Sequence, residues 1–137
     1  MVTLHATAVC VGSRAALIRG ASGSGKSALA LEMMSRGAQL VADDRVVLQA
    51  ENAGIRLSAP DAIRGLIEAR GVGILRAEPA TTAWLFCVID LDHPEPDRLP
   101  QVRKTELLGI TVPLLHNVAK AYFAAALVQY LRGGRNA

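Results

Sequence analysis

GASGSGKS, residues Gly20 to Ser27, is the stretch that decides the reading of this chain. It satisfies the pattern G-x-x-x-x-G-K-[ST] in full, and its surroundings give the pattern physical meaning. The apolar run Ala15-Ala16-Leu17-Ile18 ahead of it reads as a strand, and Ala28-Leu29-Ala30-Leu31-Glu32-Met33-Met34 after it reads as a helix. A strand therefore feeds a glycine-rich turn that opens a helix. Gly20, Gly23 and Gly25 let the backbone take dihedrals closed to other residues, so that the N–H groups of the loop, those of Ala21, Ser22 and Ser24 included, can converge on phosphate oxygens. The helix start adds unsatisfied donors and the positive end of its dipole. Lys26 supplies a mobile cation for the β- and γ-phosphates, and the Ser27 hydroxyl is placed to ligate Mg²⁺. The motif predicts a nucleoside triphosphate site over Gly20 to Ser27.

The 137 residues are expected to form one domain, residues 1–137, with about two-thirds of the unfolded surface buried. Ala, Val, Leu and Ile dominate the apolar half of the composition, which suits an α/β domain better than a disulfide scaffold. Fifteen Lys and Arg stand against twelve Asp and Glu, and twelve of the fifteen cations are Arg, whose planar fork suits phosphate. These cations are dispersed, without the basic run and interleaved aromatics of a nucleic-acid surface, so no nucleic-acid partner is expected. Cys10 and Cys87 lie in apolar stretches and read as buried, reduced thiols. No run approaches the roughly 20 apolar residues of a membrane span, and no leader pattern is present, so a soluble, cytoplasmic protein is expected.

Along the chain, Leu4 to Val11 and Arg14 to Ile18 predict a hairpin turning at Gly12-Ser13. A helix is predicted from Ser27 to Arg36, stopped by Gly37, then a short strand Gln39 to Ala42 ending in Asp43-Asp44. Arg45 to Gln49 and Ile55 to Leu57 predict a second hairpin around Asn52-Ala53-Gly54. A loop or short helical turn is expected from Pro60 to Gly71, and a strand over Val72 to Leu75. The run Ala83 to Ile89 is the best candidate for a buried strand. With three prolines and three acids, Asp92 to Pro100 predicts a loop. The sequence from Pro113 to Leu131 predicts one long apolar helix, ending at Arg132-Gly133-Gly134.

Phosphoryl transfer needs carboxylates for metal and proton as well as a phosphate cradle. Asp43 and Asp44 end a hydrophobic strand, where a P-loop fold brings a neighbouring strand beside the γ-phosphate. Adjacent side chains on a strand point to opposite faces, so one of the two is expected to face the site.

The run Leu40-Val41-Ala42-Asp43-Asp44-Arg45-Val46 resembles the HPr kinase/phosphorylase family, in which a P-loop and helix are followed by a VADD strand end. A second signature of that family, E-x-R-G-x-G-I, is present as Glu68-Ala69-Arg70-Gly71-Val72-Gly73-Ile74. His5 stands ahead of the P-loop at the family's spacing, and Asp97-Arg98-Leu99 resembles its D-R-L triplet. The resemblance runs from about His5 to Arg98 and corresponds to the family's catalytic domain, without the N-terminal domain of longer members. It implies a mixed α/β sheet with flanking helices, a P-loop kinase domain resembling the PEP carboxykinase-like nucleotide-binding fold. It also implies an ATP- and Mg²⁺-dependent serine kinase acting on HPr or an HPr-like phosphocarrier protein, and a homo-oligomer, hexameric in the family.

Residue by residue, the resemblance implies that Gly20 to Ser27 bind ATP and that Ser27 and Glu68 bind Mg²⁺. Asp44, more than Asp43, takes the proton of the acceptor serine, His5 orients or electrostatically tunes that aspartate, and Lys26, Arg70 and Arg98 balance charge on the migrating phosphoryl group. One segment departs from the pattern. The family's late P-G-R-N, tied to phosphorolysis of phosphoserine by inorganic phosphate, reads here Pro113-Leu114-Leu115-His116-Asn117. It keeps the asparagine and loses the Gly-Arg pair, which implies retained kinase activity with weak or absent phosphorylase activity.

Two other readings fit the residues. A P-loop kinase or NTPase acting on a different acceptor would use Asp90 as its metal-linked carboxylate; within that class a GTPase is disfavoured because no N-K-x-D motif occurs. A non-catalytic ATP sensor would have no need of a proton-accepting carboxylate.

Overall fold

The computed structural model describes residues Met1 to Ala137. The elements in chain order are β1 (Val2–Leu4), β2 (Thr7–Val11), β3 (Arg14–Arg19), α1 (Lys26–Met34), β4 (Gln39–Ala42), β5 (Val46–Glu51) and β6 (Gly54–Ser58). After a short 3₁₀ turn at Asp61–Ile63 come β7 (Leu66–Ala69), β8 (Gly73–Arg76), β9 (Trp84–Pro94), β10 (Arg103–Leu107), β11 (Ile110–Asn117) and α2 (Phe123–Gly133). Nine strands form one mixed sheet in the order β1-β5-β6-β9-β3-β2-β4, with β11 also pairing with β9 and β10 outermost beside β11. β7 and β8 form a separate antiparallel pair. The outer edge of β4 is covered, since Ala80 N–H donates to Leu40 O and Pro79 bridges Leu40.

Period-two alternation makes the sheet two-sided. Val9, Ala16, Ile18, Cys87 and Ile89 face α1 and α2, where Met33, Phe123, Leu127 and Leu131 close one core. Ala8, Cys10, Ala15, Leu17 and Val88 point the other way and pack with Leu48, Ile55 and Leu57 of β5 and β6 in a second core. Both cysteines are free and buried as expected, and burial pushes the Cys87 thiol up to about 12, which leaves it protonated and inert at neutral pH.

Strand direction positions the site. β2 runs antiparallel to β3, and β4 antiparallel to β2, so β4 ends at the same edge of the sheet as β3. β9 and β11 run parallel to β3 and end there too. The P-loop after β3, Asp43-Asp44 after β4 and the head of β2 therefore meet along one edge, the side on which open α/β sheets hold ligands.

Several sequence expectations hold. Helix α1 starts at Lys26 and closes with Gly37 at φ 104°, where the N–H groups of Gly37 and Ala38 bond the carbonyls of Met34 and Met33 in a Schellman arrangement. Others are corrected. The predicted strand Leu4–Val11 is broken at His5-Ala6, because β1 pairs with β5 whereas β2 pairs with β3 and β4. Leu66–Ala69 is a strand and not part of a loop, with Ile67 and Ala69 buried and Glu68 exposed. β9 runs on to Pro94, and β10 was not anticipated. The long helix expected over Pro113 to Leu131 is instead strand β11 followed by α2. An apolar run fits a buried strand as well as a buried helix. Pro113 is accommodated because it pairs on one side only, with Lys104 of β10, while the ladder with β9 begins at Leu114.

The β5–β6 hairpin turns through Asn52 at φ 51° and Ala53 at φ 61°, a type I′ turn that places a Cβ in the left-handed region. Ala53→Gly is expected to raise stability by up to about 1 kcal/mol, read as a higher urea midpoint with unchanged slope.

Candidate active site

A cavity of about 540 Å³ opens along the shared edge, between the P-loop, the head of β2 and the β7–β8 pair. Ser22, Gly23, Gly25, Lys26 and Ser27 form one wall, His5 and Asp44 a second, and Glu68 and Arg70 a third. Gly25 at φ 100° leads into α1, whose first turn has no side-chain cap, so its N–H groups are free for an anion. Lys26 is buried and its ammonium donates to the carbonyls of Gly20 (2.8 Å) and Ala21 (3.1 Å). The buried Ser24 hydroxyl has no partner and sits under Gly20, where an added Cβ would lie 2.5 Å from its oxygen.

The two aspartates occupy opposite environments, though not by strand alternation. β4 ends at Ala42, and Arg45 N–H bonds back to Asp43 O (2.8 Å) across Asp44 at φ 71°, a tight γ-turn of the strained, positive-φ kind. Asp43 is thereby turned inward. Its Oδ1 accepts from the Thr7 hydroxyl (2.9 Å) and the Ser27 hydroxyl (2.6 Å), and its Oδ2 accepts from Glu68 N–H (2.9 Å). Asp44 faces the open cavity, with Oδ1 2.9 Å from His5 Nε2 and both side chains more than half exposed.

The structure thus brings together His5, Lys26, Ser27, Asp43, Asp44, Glu68 and Arg70. It does not bring Arg98, which lies on the exposed segment between Pro96 and Val102 and does not line the cavity. Ser27, Asp43 and Glu68 offer hard oxygen donors, and no cluster of three or more His, Cys, Asp or Glu side chains forms a closed metal cage. That donor set fits Mg²⁺, which is usually held by one or two carboxylates together with phosphate oxygens and water.

Sequence reasoning missed Thr7, whose only signal was a hydroxyl at the head of an otherwise apolar strand. It also underrated the end of β9. Asp90 is buried, accepts from Asp92 N–H (2.9 Å) and His93 Nδ1 (3.0 Å), and forms an ion pair with the Arg19 guanidinium at 3.4 Å. The His93 ring stacks on His116 at 5.4 Å.

The fold and this edge define the protein as a P-loop kinase-type domain: a glycine-rich loop from strand to helix, a buried carboxylate on its serine and a second carboxylate open to the cavity. The HPr Serine kinase C-terminal domain profile matches residues 1–80, and the chain belongs to that family. It is 37% identical over 129 residues to the HPr kinase/phosphorylase of a Geobacillus species and 45% identical over 130 residues to that of Brevibacillus brevis. These alignments take in 81% and 82% of this chain and 42% of each relative, so the chain spans less than half the length of the curated relatives it matches. The solved structure of the Hpr(Ser) kinase/phosphatase from Coxiella burnetii superposes with a TM-score of 0.75 at 25% identity, covering 96% of this chain and 95% of that one. The mixed α/β, P-loop kinase-type architecture is shared between them.

Asp90 supplies a test of the edge. Burial pushes its carboxyl up, but the bonds from Asp92 N–H and His93, with the charges of His93 and Arg19, outweigh burial and hold it below its ordinary value. A depressed native value stabilises the fold above the unfolded value, and that contribution fades as pH falls through the native one. Asp90→Asn is therefore expected to lower the melting temperature at neutral pH and to narrow its gap from the wild type below about pH 4, followed by thermal melts across pH.

Proposed function

We propose that this chain is an ATP- and Mg²⁺-dependent serine protein kinase that phosphorylates HPr or an HPr-like phosphocarrier protein. The observation that carries the reading is the His5–Asp44 pair at 2.9 Å on the rim of the P-loop cavity. A carboxylate there, held by an imidazole and open to an incoming macromolecule, suits proton removal from an acceptor hydroxyl. The family membership supports the same activity and acceptor.

In this mechanism Lys26 exchanges the carbonyls of Gly20 and Ala21 for phosphate oxygens, and the amides of the P-loop and the first turn of α1 bind the rest of the triphosphate. Mg²⁺, held by Ser27 and Glu68 with Asp43 behind the serine, would neutralise charge on the β- and γ-phosphates. Asp44 Oδ takes the serine proton while His5 fixes the orientation of the carboxylate. Arg70, on the cavity wall, balances charge on the phosphoryl group in transit. Arg98 lies outside the cavity in this conformation, so Arg70 is the arginine with the stronger support.

With labelled ATP, Mg²⁺ and purified HPr, Lys26→Ala and Asp44→Asn are expected to lose transfer by about 10²- to 10⁴-fold while melting within a few degrees of the native protein. Full transfer by Asp44→Asn excludes it as the base, and tight ATP binding without transfer to any serine acceptor turns the reading to a nucleotide sensor.

The reverse reaction is proposed to be weak. Pro113 to Asn117 supplies no arginine to hold an attacking phosphate, since His116 stands beside Asn117 on β11. Incubation of phosphoserine-HPr with phosphate and Mg²⁺ is expected to release little pyrophosphate; rapid release overturns this.

A further inference from the structure

We propose that Asp92 is a positioning residue of the nucleotide cradle, acting from outside the cavity on the first turn of the P-loop. The proposal rests on the reading of that loop as a triphosphate site. Arg19↔Asp90 is the last rung of the parallel β3–β9 ladder. Beyond it the chain leaves β3 for the loop, and side chains take over from backbone pairing. The Arg19 guanidinium meets the Asp90 carboxylate at 3.4 Å. Gly20 lies against Leu91, where an added Cβ would be 3.2 Å from the leucine Cβ. Ala21 N–H donates to both carboxylate oxygens of Asp92, at 3.0 and 3.1 Å. Residues 19, 20 and 21 are thus matched one to one by 90, 91 and 92, and Asp92 is itself fixed by its N–H on Asp90 Oδ1 at 2.9 Å.

Ala21 is held at both its N–H and its carbonyl. Its carbonyl accepts from Ser24 N–H (3.0 Å) and from the Lys26 ammonium (3.1 Å). Phosphate oxygens compete for that ammonium. Once Lys26 turns to them, Asp92 is the tether that still holds Ala21 from outside the loop. A carboxylate next to an anion cradle also has an opposite effect, since like charges repel. Asp92 is exposed to solvent, which screens the repulsion, whereas the hydrogen bond acts at contact. The tether therefore dominates, and the sign of the effect separates the two.

Asp92→Ala is expected to weaken Mg·ATP binding about tenfold by calorimetric titration, the scale of one charge-assisted hydrogen bond, with a melting temperature within a few degrees of the native value. Asp92→Asn, which keeps an acceptor and drops the charge, is expected to stay within about threefold. Tighter or unchanged binding by Asp92→Ala, or equal loss in both variants, overturns the proposal. A second readout needs no nucleotide: amide exchange across Arg19 to Ser24 is expected to be about tenfold faster in Asp92→Ala and near native in Asp92→Asn. Native exchange in Asp92→Ala overturns the tether even if ATP proves not to be the ligand.

Discussion

One buried carboxylate ties the cavity edge together. Asp43 takes hydroxyl donors from Thr7 on β2 and Ser27 on α1, and a backbone donor from Glu68 on β7. These elements belong to the main sheet, its covering helix and the separate strand pair, and no ladder joins all three. A buried charge is tolerated when its lone pairs are filled, and hydrogen bonds to a charged group contribute roughly 1.5–3 kcal/mol each. The bond to Glu68 N–H fixes the backbone of β7 at the point where Glu68 and Arg70 reach the cavity. Apart from that bond, the strand pair is held to the sheet by apolar packing of Ile67, Leu75 and Ala77 and by the Ala80 N–H to Leu40 O contact that follows it.

Asp44 shows how one covalent bond separates two chemical characters. Its neighbour takes three donors and is enclosed, whereas Asp44 has a single partner, His5, and stands in solvent. The left-handed backbone at Asp44 creates the difference, since an extended residue there would carry the chain on as strand. Backbone strain of this sort costs about 1–3 kcal/mol and persists where surrounding contacts over-determine it. Asp43's three bonds on one side and the β1–β5 pairing beyond Arg45 provide those contacts.

The P-loop, α1 and the strand–turn–strand ahead of it were legible because glycine placement and apolar period agree there. The Asp43-Asp44 pair was legible as a site, but the rule used to separate the two was wrong: alternation applies within a strand, and β4 had already ended. β7 was hidden because Glu68, which fell in the expected loop, is an outward residue of an alternating strand that buries Ile67 and Ala69, with Arg70 in the turn that follows. The stretch after Pro113 was misread because strand and helix bury the same apolar residues, and pairing with β10 and β9 decides between them. Asp92 fell in a segment whose prolines argued for a loop, which concealed its place as the continuation of β9.

The sheet has three rims, and each is blunted by a different device. β1 is only three residues long, β4 is capped by the crossing chain at Pro79, and β10 presents Lys104 and Glu106 to water. Short length, a proline-bearing cover and charge all discourage a neighbouring copy from adding a strand. Contact between copies of this chain is thereby steered toward side-chain faces, away from strand-to-strand stacking at the sheet's rims.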